Sequence, residues 1–266
     1  MIKTLFLSIM QVLYLSSTII GFGLFLDYVS KKANALIYAA TGWAGVVATG
    51  FIGTPVHEFG HLVFAVLFGH KIEDVKLLPI KNENGVFGYV SHSYNPANLY
   101  QVIGNFFIGI APMLSGTIAL MILMKILLPQ SYEEFRISMN TIMTGSPEVN
   151  SVGKFIMAIM SSFKALLSIE NLTSVRFYVY IIIGVGIASH MSLSLSDIKN
   201  SLIGFVFVCL VFFAINVILA AIGKETDFIV QKLTSVNFYL SIFFAISTVF
   251  SLLFLAFAHI IFRVSR

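Results

Sequence analysis

His57-Glu58-Phe59-Gly60-His61 puts two imidazoles four residues apart, with a carboxylate beside the first. On a helix, positions i and i+4 share one face, so both imidazoles can bind a single metal ion. Glu58 then lies next to that face, within reach of a water held by the ion. In this arrangement zinc activates the water and the glutamate takes its proton. The pentapeptide sits in an apolar stretch, where an ionisable side chain is costly and marks a functional site by default. A buried polar network without metal would leave three ionisable side chains at ligand spacing unexplained.

Catalytic zinc takes three protein ligands and keeps one position open. Of the 12 acidic residues, Glu58 lies within a long uncharged run, and Asp197 lies between two such runs with Lys199 as the one charge beside it; Asp27 abuts both Lys31 and Lys32. Asp197 belongs to a polar run, Ala188 to Lys199, that also holds His190 and Ser194. A continuous helix would present His190, Ser194 and Asp197 on one face. Asp197 is the favoured third ligand. His190 is the alternative, or a partner that steadies a ligand. As a plain structural group, Asp197 would be an interfacial carboxylate paired with Lys199. His70, at the end of the HExxH helix, suits the helix dipole. His92 is expected at the surface, and His259 in packing or at an interface.

The elements that would carry these residues are membrane spans. Hydrophobic residues make up 58% of the chain and charged residues 11%, with a mean hydropathy of +0.94. Soluble domains carry roughly 25% charged residues. Residues 4–26, 33–56, 177–196, 200–223 and 233–262 contain no charge at all. A span needs roughly 20 apolar residues. The expected fold is an all-α integral membrane protein, a single polytopic domain over 1–266. It is a bundle of about six transmembrane helices, with spans at 4–26, 100–128, 177–194, 201–222 and 237–262 around a segment at 34–69. The run before Lys31 and Lys32 is too long for a signal-peptide core and is read as an uncleaved first span.

Residues 34–69 are too long for one crossing, so a hairpin or re-entrant segment is expected there. Gly50, Gly53 and Pro55 interrupt it, and Thr54-Pro55 reads as the start of a helix from 55 to 68. In 70–99, residues 76–80 and 86–90 read as strands around a turn at 82–85, a small membrane-associated β-hairpin. Residues 129–173 read as an extramembrane loop carrying an interfacial helix over 152–168. The net charge of +4 is spread over short loops. It fits topology better than nucleic-acid binding, and places 70–99 in the cytoplasm and 129–173 outside. The expected location is the cell membrane of a prokaryote, in multi-pass form. Cys209 is alone and reads as a packing residue.

The HEFGH sequence in an apolar helix resembles the site-2 protease type of intramembrane zinc metalloproteases. Gly69-His70-Lys71-Ile72 leading to Leu77-Leu78-Pro79, the Gly85–Val90 strand, and Gly104-Asn105 with Gly109-Ile110-Ala111-Pro112 extend the likeness. It covers 50–120 and, more loosely, 177–200. The resemblance implies that His57 and His61 bind zinc, that Glu58 is the catalytic base, and that the hairpin holds substrate as an added strand. Phe87 and Tyr89 would then contact a membrane-embedded or membrane-associated protein or peptide. Where many members carry Leu-Asp-Gly, this chain has Ser194-Leu195-Ser196-Asp197-Ile198, which marks a divergent branch. No PDZ-like insert is visible. Two other functions compete with peptide-bond hydrolysis. An ion- or proton-coupled transporter would spread polar groups along several spans, whereas here they gather in two places. A noncatalytic metal-binding membrane protein would keep the donors without turnover.

Overall fold

Long apolar runs broken only at a few glycines and prolines form long helices here. The computed structural model describes residues 2–78, 88–144, 151–223 and 227–266. It is mostly helical, with one small antiparallel sheet. The order is α1 (Ile2–Leu67), β1 (Lys71–Lys76), β2 (Tyr89–Ser93), α2 (Leu99–Leu127), α3 (Pro129–Thr144), α4 (Ser151–Leu166), α5 (Ile169–Leu172), α6 (Val175–Ala188), α7 (Leu195–Ala221) and α8 (Asp227–Val264). Among the described residues, four helices are long and apolar enough to cross a membrane, lying in α1, α2, α7 and α8. The span expected at 177–194 is instead the 14-residue α6, which rises only about 21 Å.

α1 is two arms, 2–41 and 43–67, joined at Gly42 (φ 65°, ψ −156°). Only glycine adopts this region readily. Both arms reach the segment that follows α6. From the first arm, Ser30 Oγ donates to the Ser189 carbonyl at 2.6 Å, and Gly23 lies against Leu193. From the second, Gly50 and Gly53 lie against the His190 ring. The reversal therefore falls at Gly42, not at Gly50–Pro55, and the helix runs unbroken through Thr54-Pro55. Gly50 and Gly53 serve close approach rather than a turn.

The main core joins the first arm (Val12, Ile19, Leu26) to α2 (Phe106, Met113, Leu120), α6 (Tyr180) and α8 (Phe243, Phe250). A smaller cluster holds the reversal: Ala33, Ile37 and Val46 pack on Phe254 and Ala258 of α8. Residues 129–144, expected to be loop-like, form α3. Pro129 is its first residue, where the missing N–H costs nothing. Ser131, Phe135 and Met139 turn one face inward, and the Phe135 ring meets Phe243 edge-on at 5.2 Å.

The strands also lie elsewhere than expected. β1 and β2 pair antiparallel, with Lys71 opposite Ser93, Ile72 opposite His92 and Lys76 opposite Tyr89, and an irregularity between Ile72 and Asp74. Of the expected strand at 76–80, Lys76 ends β1 and 77–78 are not strand; residues 79–80, all of the turn at 82–85 and Phe87 fall within 79–87, outside the described residues. The two strands link the HExxH helix to α2.

Candidate metal centre

His57 and His61 stand on the second arm of α1, one turn apart, with their Nε2 atoms separated by 3.3 Å. Asp197 comes from the first turn of α7. A continuous helix, which would put His190 and Asp197 on one face, does not form. α6 ends at Ala188, and Ser194 caps a new helix. The cap is reciprocal: Ser194 Oγ accepts from the Asp197 N–H, and the Ser194 N–H donates to Asp197 Oδ2 at 2.9 Å. A capping box needs an acceptor side chain at its third helical position, so the element that starts α7 also fixes the carboxylate. Oδ2 is held by Ser194, while Oδ1 lies 3.6 Å from His61 Nε2. One ligand atom from each of His57, His61 and Asp197 falls within 4.8 Å of the others, so the group can hold a metal ion.

The tautomers of both imidazoles follow from their partners. His57 Nδ1 lies 2.7 Å from the His190 carbonyl, and His61 Nδ1 lies 2.9 Å from the Ile108 carbonyl. A carbonyl only accepts, so each Nδ1 carries the proton and each neutral ring has a bare Nε2. Two lone pairs facing each other at this distance repel unless a cation or a proton stands between them. A carbonyl on the outer nitrogen is also the usual way a protein orients a metal-binding histidine. The donor chemistry therefore fits a cation.

Neither carbonyl is free by accident. Ile108 lies four residues before Pro112 in α2, and proline has no N–H to donate back along the helix. Pro112 thus releases the acceptor that His61 uses. The His190 carbonyl lies in the turn after α6, outside any helical ladder. The His190 ring does not join the metal group. It packs on Gly50 and Gly53, and its Nδ1 lies 3.0 Å from Ser189 Oγ. His190 acts on the site through its backbone.

His57, Glu58, His61 and Asp197 open into one cavity of about 370 Å³, closed on another side by Gly88, Tyr89, Val90 and His92. Glu58 is 9% exposed. Gly88 crosses directly over it: a Cβ there would come within 2.8 Å of Glu58 Cγ and of Thr54 Cγ2. Tyr89 reaches the cavity, and its hydroxyl donates to Asp74. That bond holds the Asp74 carboxyl below its ordinary range, and the Ser93 hydroxyl does the same for Glu73.

Three contributors escaped the sequence reading. His92 is not a surface residue: it is half-buried against His70 and lines the cavity. Asn105 lines it too, with its amide nitrogen buried and unpaired among the described residues. A polar residue amid the apolar run of α2 was the available signal. The Ile108 carbonyl carries no side-chain signal, and only Pro112 pointed to it. Comparison of the chain with protein-family models, with curated proteins and with solved structures gave no match.

Proposed function

We propose that the chain is a zinc-dependent endopeptidase that hydrolyses peptide bonds within or beside the bilayer. The observation that carries this reading is the placement of Glu58. It shares one cavity with two carbonyl-oriented imidazoles and a carboxylate, beside a strand edge. Two imidazoles and one carboxylate suit zinc. His57, His61 and Asp197 would hold the ion, which when bound supplies Lewis acidity toward water and the scissile carbonyl. The rest of the chemistry belongs to the chain. Glu58 accepts a proton as the water oxygen bonds to the carbonyl carbon, then delivers it to the nitrogen as the C–N bond breaks. The burial of Glu58 beneath Gly88 keeps bulk water from competing for that proton. A substrate helix would have to unwind locally, and pairing with a strand edge would hold it extended. The four apolar helices support a multi-pass membrane setting for this reaction.

The test is purification of the full chain in detergent, with metal analysis and cleavage of a labelled unfolded casein. Glu58→Gln should keep about one zinc per chain and lose cleavage by on the order of 100-fold or more. Equal turnover by wild type and Glu58→Gln would remove Glu58 from the mechanism. Absence of bound metal in the wild type would remove the zinc centre.

A further inference from the structure

A second pair of histidines, His70 and His92, stands outside the metal group, and His92 lines the same cavity. His70 Nε2 lies 2.8 Å from the Gln101 carbonyl. The carbonyl only accepts, so that nitrogen carries the proton, and neutral His70 has a bare Nδ1. This atom lies 3.0 Å from His92 Nδ1, which must therefore donate to it. Neutral His92 is left with a bare Nε2.

The arrangement is held firmly. His70 is buried, its ring stacks on Tyr94 at 5.2 Å, and Gly104 leaves no space beside it. Along β2, Ser91 and Ser93 face out while Val90 and His92 are half-buried. His92 is thus directed to the cavity side of the strand, among the lining residues. Its burial, and then the neighbouring His70, hold its pKa below the ordinary histidine value. The bare nitrogen is accordingly the resident state of this wall.

We propose that His92 Nε2 is a substrate-binding acceptor that takes a hydrogen bond from a backbone N–H of an extended peptide lying beside β2. The inference rests on the peptidase reading above. Its logic is that of any buried main chain. A peptide N–H drawn out of water into the cavity needs an acceptor, and leaving it unpaired is costly. Asp197 Oδ2 is already held by Ser194, and Glu58 is reserved for the water proton. His92 offers such an acceptor, and it stands on the strand that a peptide would follow. His70 is a positioning residue: it fixes the tautomer and the ring without reaching substrate.

The test uses three probes on the zinc-loaded full chain in detergent. Acetohydroxamate chelates the metal and has no peptide. An acetyl-dileucyl hydroxamate adds two backbone N–H groups. Its analogues, N-methylated at one leucine or the other, each lack one of these. In wild type, one methylation should weaken binding about tenfold, the size of one hydrogen bond. In His92→Ala that difference should vanish, while acetohydroxamate binds as before. In His92→Gln, whose side-chain carbonyl sits near the lost nitrogen, part of it should return. The His92 Nε2 resonance of histidine-labelled protein should move with the peptidyl probe and not with acetohydroxamate. An N-methyl penalty of the same size in wild type and His92→Ala, with acetohydroxamate binding intact, would overturn this role for His92 alone. If acetohydroxamate fails to bind wild type, the metal centre and this inference fall together.

Discussion

Three side chains and two backbone carbonyls define the centre, and they do not contribute alike. His57 and His61 are neutral donors, so on a divalent ion they leave the full +2 charge. Asp197 lowers it to +1 and is itself neutralised, which matters for a carboxylate among apolar helices. On the proposed zinc reading, removing either imidazole should abolish metal binding, since a catalytic zinc takes three protein ligands. Asp197→Asn should weaken it by more than the roughly 10–100-fold that loss of an orienting partner costs. His190→Ala should do far less, because the group that orients His57 is the His190 carbonyl, which the substitution keeps. Metal titration of the four purified variants separates these outcomes. Asp197→Asn near wild type, with His190→Ala metal-free, would make the histidine the ligand. At this scale the sequence was most informative about His57 and His61, whose adjacency is a property of one helix. Asp197 needed a different argument, from its place between two charge-free runs. What His190 contributes through its carbonyl could not be read, because a backbone acceptor has no residue type.

Each donor is aimed by an irregularity in the element that bears or faces it. α7 begins at Ser194 because Ser194 and Asp197 cap one another, and that same cap turns Asp197 Oδ1 toward His61. Pro112 removes one N–H from α2, and the Ile108 carbonyl so released orients His61. The sequence marks both places, with a serine three before an aspartate and a proline inside an apolar run, but it does not say what faces them. Pro112→Ala gives a clean test at this scale. Alanine restores the N–H that Ile108 lacks and favours the helix by up to about 3 kcal/mol where proline was unfavourable. The chain should therefore melt no lower than wild type. Metal affinity should nevertheless fall by about 10–100-fold, because the His61 ring loses sole use of its acceptor. Unchanged affinity in the variant would show that the Ile108 carbonyl does not set the geometry of the site.

The candidate centre is assembled where three distant stretches of chain meet: the second arm of α1, the start of α7, and β2 with the head of α2. The meeting depends on the reversal of α1. Charge-free stretches made the apolar helices legible in the sequence, yet the place of the reversal was not. Gly42, Gly45, Gly50 and Gly53 look alike in a sequence, and tertiary neighbours decide which of them turns the chain. Gly50 and Gly53 are needed where His190 packs against the helix, whereas a Cβ on Gly42 would meet nothing within 4 Å. The special feature of Gly42 is its backbone alone, at φ 65° and ψ −156°. Gly42→Ala should therefore destabilise the fold by about 1–3 kcal/mol through strain, without any steric clash. Gly21 supplies the control. It too faces open space, but it lies within an ordinary helical turn, where alanine is favoured over glycine by roughly 0.5–1 kcal/mol. Denaturant unfolding of the two variants in the same detergent should move their midpoints in opposite directions from wild type. The folded fraction of Gly42→Ala should still bind metal, because His57 is about 22 Å further along the helix at about 1.5 Å per residue. Equal midpoints for the two variants would mean that α1 does not need glycine to reverse, and that the contacts of its two arms with the segment after α6 suffice to hold them.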